Sequence, residues 1–224
     1  MLETMLRLQQ RLNDETNGPG WEKGVTRQGK PIDWRRCIWL EAAELVESYP
    51  WKHWKNIDAR PDYENIRIEA VDIWHFVMSE ALRLNAIERD GKIAELAERI
   101  AATDAYRTFA RSASPSPGDP YDEIKKVEAF VKTLFCGGSI KDLTASFFTV
   151  ASLAGLDLST LYRLYIGKNI LNRFRQEHGY KEGSYRKLWN GREDNVVMQE
   201  ILESHPEIDP EQLYHILEEK YRES

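Results

Sequence analysis

Two pairs of acidic residues lie within otherwise apolar stretches of this chain. Glu41 and Glu44 stand in IWLEAAELV, and Glu69 and Asp72 stand in IRIEAVDIWHFVM. Because residues three apart share one face of an α-helix, each pair directs two carboxylates to the same side of its helix. Neither helix has a clean polar face for solvent, and an unpaired buried carboxylate is costly. The two pairs therefore require a partner that carries positive charge.

A divalent metal ion is the partner that this pattern favours. If the two helices are antiparallel, four carboxylates converge, and an all-oxygen ligand set favours Mg²⁺ or Mn²⁺. The alternatives are ion pairs with Arg35, Arg36 or Arg67, or a narrow solvent-facing stripe. Zinc fits less well because the chain lacks C-x-x-C and H-E-x-x-H motifs. A di-iron bundle needs Glu-x-x-His on two helices, and only Asp72 with His75 comes near that pattern.

Apolar residues elsewhere in the chain recur with the helical period, which predicts an all-α fold, a multi-helix bundle. A glycine-bearing loop over 14–30 is expected to be mobile or functional, and the Pro/Ser-rich stretch 112–120 reads as a linker. The predicted helices begin with a first helix around 2–12, continue over about 33–49, 63–84, 92–111, 121–135, 139–153 and 158–178, and end with one opened by Asp209-Pro210.

Composition narrows the class of protein. The chain has 224 residues, 42% hydrophobic residues and a net charge of −6, which fits one all-α catalytic domain over 1–224 and argues against bulk nucleic acid as a partner. No stretch has the apolar length of a membrane span, and the two cysteines do not form a disulfide framework. We therefore expect a cytoplasmic protein with no membrane partner.

A second polar group lies near the end of the chain. Lys168, Asn172 and Arg175 are spaced four and three apart on a face shared with leucines, which indicates an anion site at the edge of the core. Lys181 follows in a glycine-punctuated segment that could close over phosphates. The alternative is a solvated basic face that balances the acidic excess. Together with the carboxylates, the cations suggest a magnesium-bridged polyphosphate.

These motifs resemble the dimeric dUTPases of the all-α NTP pyrophosphatase superfamily. The segment 86–132 matches little of that family and is expected to be an inserted or mobile part. The resembling segments are Leu8 to Gly18, Trp34-Arg35-Arg36 through Trp54-Lys55-Asn56, Arg67 to Phe76, Tyr165-Ile166-Gly167-Lys168-Asn169 through Phe174-Arg175-Gln176, and Gly179 to Tyr185.

The resemblance implies hydrolysis of dUTP, and of dUDP, to dUMP with release of pyrophosphate or phosphate. Glu41, Glu44, Glu69 and Asp72 would be ligands of Mg²⁺, with Mn²⁺ as an alternative. A metal-activated water would be the nucleophile, and Glu44 or Glu41 would orient and deprotonate it. The resemblance also implies a homodimer, whose interface could use apolar surface on the helices after Tyr121.

The resemblance assigns the substrate contacts as well. Gln10 and Asn13 would bind the uracil edge, and a tight pocket would exclude the methyl group of thymine. Two alternatives remain, a related enzyme acting on another nucleotide such as dCTP and a non-catalytic nucleotide-binding module. Trp54 and Phe76 would form apolar walls, with Trp51 and His75 nearby, and core packing is an equal alternative for Trp51 and Phe76. The residues assigned to the phosphates are Lys168, Arg175 and Lys181, and Asn172 would bind the sugar or a phosphate.

Overall fold

A computed structural model describes residues 1–56, 58–89 and 91–224 of the chain, with Arg89 described by its backbone alone. Helices dominate this described part, so the predicted all-α fold is confirmed. The α-helices are α1 (Leu2–Asn17), α2 (Trp34–Glu47), α3 (Tyr63–Arg89), α4 (Ile93–Ala101), α5 (Asp104–Arg111), α6 (Pro120–Phe135), α7 (Ile140–Leu153), α8 (Leu158–Glu177), α9 (Asp194–Ser204) and α10 (Pro210–Arg222), with a 3₁₀ helix at Trp21–Lys23 and a hairpin of β1 (Leu188–Trp189) and β2 (Arg192–Glu193).

The predicted starts of three helices are confirmed by their capping residues. The Asp33 carboxylate accepts the backbone N–H of Arg36 at the start of α2. At the start of α8, the Asp157 carboxylate accepts the N–H of Thr160 at 2.7 Å. Asp209 caps α10 through a reciprocal capping box, with Pro210 at the first helical position. Each cap satisfies backbone donors that the first helical turn leaves unpaired.

The single helix predicted over 92–111 is wrong, because the structure divides it into α4 and α5. The Thr103 side chain accepts the N–H of Tyr106 at 3.2 Å and opens α5. A threonine hydroxyl offers the backbone this alternative to a continuous helix. The predicted start of the loop over 14–30 is also wrong, because α1 continues to Asn17. The rest of this loop is anchored, since Trp21 is fully buried and packs edge-on against Trp34. The β-hairpin, the 3₁₀ helix and α9 were not among the predicted elements.

The chain divides into two compact units, residues 1–161 and residues 162–224. The division falls within α8, whereas the linker 112–120 lies inside the first unit. There the Ser114 hydroxyl donates to the Asp157 carboxylate at 2.9 Å. A single catalytic domain over the whole chain stays a prediction.

In the first unit α3 is the central helix. It packs against α1, α2 and α7, and its buried indole of Trp74 stacks on Phe147 with ring centroids 4.6 Å apart. Aromatic burial of this kind supplies much of the apolar area that stabilises a core. The consequence is that α1 and α2 are held against α3, the helix that carries Glu69 and Asp72.

The second unit is organised around Phe174 of α8. Its ring packs edge-on against Trp189, Tyr214 and Tyr221. The hairpin turns through Asn190 and Gly191, whose φ angles of 50° and 82° are those of an Asn-Gly turn between antiparallel strands. Trp189 at the hairpin is thereby buried against α8 and α10.

In the described ranges no individual helix is both long and apolar enough to cross a bilayer. Taken together, the bent pair formed by α7 and α8 has the length and the apolar composition that a membrane span requires.

Candidate active site

Three carboxylates from two helices meet in the first unit. Glu41 of α2 and Glu69 and Asp72 of α3 each offer one ligand oxygen, and these oxygens lie within 4.8 Å of one another. Glu69 is buried, whereas Glu41 and Asp72 are half-buried. Within the described ranges, this is the one such group of acidic, histidine or cysteine side chains. Three of the four carboxylates that were predicted to converge therefore lie together.

The packing of α2 on α3 brings these carboxylates together. Ile38, Ala42 and Leu45 are buried on α2, and this apolar face leaves Glu41 beside α3. Asn65, one turn before Glu69, donates its side-chain N–H to the Glu69 carboxylate at 3.2 Å and to the Ser48 hydroxyl at 2.8 Å. The amide therefore orients Glu69 from the side of the α2 C-terminus.

The donor set fits a hard divalent cation. Three carboxylates so close together repel one another unless positive charge lies near them, and oxygen ligands suit Mg²⁺ or Mn²⁺. Burial, followed by the charges of Glu41 and Asp33, raises the pKa of the Cys37 thiol one turn earlier on α2. Cys37 is not one of the side chains that offer a ligand atom to this group, which supplies oxygen ligands alone, whereas structural zinc sites favour sulfur and nitrogen.

Two of the arginines considered as alternative partners are engaged elsewhere. Arg35 forms an ion pair with the buried Glu80 at 2.9 Å, and Arg36 pairs with Asp33 at 3.1 Å. Glu44, the fourth predicted ligand, lies exposed on α2 outside the group of three. Its role as a ligand or as a base stays a prediction.

A buried polar cluster lies between α1 and α3. The Gln9 side-chain N–H groups donate to Asn13 at 3.1 Å and to the Ser79 hydroxyl at 3.0 Å, and Asn13 also donates to Ser79 at 3.0 Å. The ring Nδ1–H of His75 donates to the Gln9 amide oxygen at 2.7 Å. His75 is one turn after Asp72 on α3, so the cluster continues the face of the carboxylates.

The structure does not bring Gln10 to this cluster. Its amide donates to Asp14 at 3.1 Å and to Glu22 at 2.9 Å, towards the loop after α1. Trp54 is 63% exposed and packs on Trp51 and His53 instead of forming a closed wall.

Phe76, the other predicted wall, is half-buried and stacks on Trp34 with centroids 5.9 Å apart. This contact is the core packing that was weighed as its alternative role. The predicted roles of Phe76 and Trp54 towards a substrate stay predictions.

The predicted anion-binding side chains of α8 form one group in the second unit. Lys168 and Arg175 are both buried. Lys168 donates to the Asn195 side-chain oxygen at 2.7 Å, and Arg175 donates to the same oxygen at 3.1 Å. Asn172 accepts a hydrogen bond from Arg175 at 3.2 Å. The polar stripe therefore faces inward, as its leucine-rich face predicts.

The remaining predicted cation is Lys181. It is exposed in the turn that follows α8. Gly179 begins this turn with φ 88°, and a Cβ there would lie 2.1 Å from the Ser184 hydroxyl, so the close turn requires glycine. The Ser184 N–H donates to the Gly179 carbonyl at 3.0 Å. The glycine-punctuated segment is thus an ordered turn in which Lys181 is exposed.

Several polar residues at these sites were missed by sequence reasoning. Gln9 carries a usable signal, because it is four residues before Asn13 and so shares a helix face with it. Asp194 and Asn195 carry no such signal, since they lie 19 and 20 residues from Arg175 and meet it only through folding. The remaining missed residues are Asn65 and Ser79.

Comparison with known families completes the description of the site. The family model described as dUTPase matches residues 1–180, which include all three carboxylates, the α1–α3 polar cluster and the cations of α8. A comparison with curated proteins finds no match. The matched part ends before α9.

Proposed function

Because the chain belongs to the dUTPase family, we propose that it hydrolyses dUTP, and also dUDP, to dUMP with release of pyrophosphate or phosphate. The observation that carries the proposal is the group of three carboxylate oxygens within 4.8 Å, in a chain matched by this family over 1–180. A hydrolase of nucleoside triphosphates needs positive charge at its phosphates, and such a group can supply it by holding a divalent ion.

Glu41, Glu69 and Asp72 would hold Mg²⁺, with Mn²⁺ as an alternative. When bound, the ion polarises a phosphoryl oxygen and neutralises charge on the polyphosphate. Asn65 keeps Glu69 oriented through its 3.2 Å hydrogen bond. The protein's contribution is a set of carboxylates whose geometry is already held by α2 packed on α3.

Glu44 is the proposed base that takes a proton from the attacking water. It is exposed and lies one turn after Glu41 on α2, so its carboxylate belongs to the same helix face. A carboxylate that does not hold the ion is available to accept a proton from the water. In this proposal Glu41 acts as a ligand, and Glu44 orients and deprotonates the water.

The cations of α8 are proposed to bind the phosphate oxygens. Lys168 and Arg175 present buried positive charge, which is screened little by solvent and so interacts strongly with a polyphosphate. Asn172, bonded to Arg175, would contact the sugar or a phosphate. Lys181, exposed in its turn, would contribute a further cation.

We further propose that Gln9 contacts the base together with Asn13. Both amides are buried beside His75 and Ser79, and amide groups offer the donors and acceptors that match the imide and carbonyl groups of uracil. Gln10, directed at Asp14 and Glu22, would support the loop after α1. Uracil would replace some of the hydrogen bonds that the cluster makes within itself.

A homodimer is proposed as the active assembly. Trp39 and Leu40 of α2 are 45% and 47% exposed, and the Trp39 ring lies 6.4 Å from that of Phe135, itself 58% exposed at the end of α6. Clustered exposed apolar side chains mark interaction surfaces. We define this cluster of Trp39, Leu40 and Phe135 as the α2/α6 patch, and propose that it contacts a second copy.

The test is to incubate the purified full chain with dUTP and Mg²⁺ and to identify products by chromatography. We expect dUMP and pyrophosphate, no turnover with a chelator, and little turnover of dTTP or UTP. The Glu44→Gln variant keeps the size of the side chain while removing a charge and a base. It should reduce kcat by about 100-fold or more with the fold intact.

Glu64→Gln is the matched control, since Glu64 is exposed in the first turn of α3 and has no role in the site. It should retain the activity of the unaltered chain. Turnover of dCTP in place of dUTP would contradict the uracil specificity, and silence on every nucleotide would favour a non-catalytic nucleotide-binding module. Unchanged kcat in Glu44→Gln would contradict the role of Glu44 alone.

A further inference from the structure

Asp194, the first residue of α9, is a fully buried acid in the second unit. Its two carboxylate oxygens accept hydrogen bonds from Arg175, at 2.8 Å from Nε and 2.7 Å from Nη2. This is the two-pronged pairing in which a planar guanidinium is held in one orientation. Asp194 lies beyond the family-matched residues 1–180.

The same carboxylate holds the turn that carries Lys181. The Tyr185 hydroxyl donates to Asp194 at 2.7 Å, and the Tyr185 ring stacks on Tyr221 of α10 with centroids 5.3 Å apart. Burial, and then the charge of Asp194, raise the pKa of Tyr185, so the hydroxyl stays protonated and donates. One buried carboxylate therefore contacts both α8 and the segment after it.

The Asp194 carboxylate supplies the negative charge that the Arg175 guanidinium faces. Burial raises the pKa of the Asp194 carboxyl, but the hydrogen bonds and charge of Arg175, with Tyr185 and Lys168, lower it below its ordinary value. Asp194 is thus ionised at neutral pH, and its pair with Arg175 is a charge-assisted one.

We infer that Asp194 is a positioning residue for anion binding, which holds Arg175 and, through Tyr185, the Lys181 turn in the orientation that receives a polyphosphate. The inference rests on the phosphate-binding role proposed for Arg175 and Lys168. It assigns the region after residue 180 a part in the reaction. Asp194 acts through Arg175 and touches no substrate itself.

The experiment compares Asp194→Asn with the unaltered full chain in two measurements. Steady-state kinetics with dUTP should show KM raised about tenfold with kcat changed less than about twofold, because a lost charge-assisted hydrogen bond costs binding. Thermal unfolding at increasing inorganic pyrophosphate should show about tenfold weaker pyrophosphate binding, independently of turnover. Glu200→Gln, the same chemical change at an exposed ion pair with Arg192 on α9, should alter neither value.

Each other outcome has a definite meaning. Tighter pyrophosphate binding in Asp194→Asn would show that the carboxylate competes with the ligand, and unchanged binding and KM would show a purely structural role; both overturn the inference. If the unaltered chain leaves dUTP intact but Asp194→Asn weakens pyrophosphate binding, the proposed function fails and the inference stands.

A second variant covers the case in which Asp194→Asn does not fold. Tyr185→Phe removes the hydroxyl that donates to Asp194 and keeps the ring stacked on Tyr221. We expect KM for dUTP and the dissociation constant of pyrophosphate to rise about threefold, since one hydrogen bond from an uncharged hydroxyl to the carboxylate is weaker than the two-pronged ion pair. Unchanged values in a folded Tyr185→Phe would overturn the inference.

Discussion

At the scale of single residues, hydrogen-bond partners distinguish side chains that are adjacent in the chain. Gln9 and Gln10 are neighbours on α1, yet Gln9 joins the buried cluster with Asn13 and Ser79, and Gln10 is bonded to Asp14 and Glu22. Consecutive helical residues differ in direction by about 100°. A one-residue difference therefore moves an amide from the interior to the edge of the first unit.

Matched substitutions of the two glutamines test this difference. Gln9→Met removes the buried amide at similar volume and should raise KM for dUTP about tenfold, because unmet buried polar groups cost about 1–3 kcal/mol. Gln10→Met should change KM less than about twofold. Steady-state kinetics with dUTP, with circular dichroism as a check on folding, measures both. The reverse order of effects would restore Gln10 as the residue that contacts uracil.

At the scale of helices, close packing and capping determine where elements begin and how near they lie. Gly167 in α8 has no Cβ, and one placed there would come within 2.7 Å of Leu202 and Met198 of α9. α9 therefore packs tightly against α8 in the second unit. In the first unit, Asp157 opens α8 and also holds the linker through Ser114.

The Asp157 cap makes the stability of the first unit depend on pH in the acidic range. Partial burial raises the pKa of the Asp157 carboxyl, but hydrogen bonds from Thr160, Ser159 and Ser114 outweigh it and lower the pKa to about 2. A carboxyl whose pKa is lower in the folded than in the unfolded state stabilises the fold at pH values above its unfolded pKa of about 3.9. This stabilisation is lost as the pH falls towards 2.

The Asn variant provides the matched comparison, because asparagine caps a helix without titrating. We expect the stability advantage of the unaltered chain over Asp157→Asn to diminish from pH 4 to about pH 2, measured by urea unfolding. Asp157→Ala should lose about 1 kcal/mol at pH 7. A constant difference between the first two proteins across this pH range would contradict the role of the ionised cap.

At the scale of the whole molecule, the apolar surface of α2 bears on assembly. Trp39 and Leu40 lie exposed on α2 outside its buried face, and the Trp39 ring lies next to that of Phe135. Exposing these side chains to water is unfavourable, and covering the exposed half of each one contributes about half of the roughly 1.5–3 kcal/mol gained by burying a whole apolar side chain. The α2/α6 patch is therefore the surface on which we propose that a second copy docks.

Light scattering on the full chain tests the proposed dimer. We expect twice the chain mass of 26.1 kDa for the unaltered protein and the mass of a single chain for the double variant Trp39→Lys with Leu40→Lys at the same concentration. Ile87→Lys, at an exposed apolar residue of α3 outside the patch, is the control and should remain dimeric. A dimer that persists in the double variant would place the interface elsewhere.

Local patterns in the sequence predict the features that depend on neighbouring residues. The helical period predicts the all-α fold, aspartates before helices mark the starts of α2, α8 and α10, and two E-x-x-[DE] pairs indicate carboxylates on two helices. Each of these follows from backbone geometry within about one turn. For Glu41 to meet Glu69 and Asp72, the only further requirement is that one apolar helix packs on the other.

Tertiary structure alone decides contacts between distant parts of the chain. It joins Asp194 to Arg175, selects Gln9 over Gln10 as the partner of Ser79, and places Glu44 outside the group of three carboxylates. No periodicity encodes these contacts, because they depend on how whole helices rotate and pack against one another. The sequence by itself determined most of the helices and the faces they bury, though not the break between α4 and α5 or the presence of α9, and the packing of those faces decided which polar side chains meet.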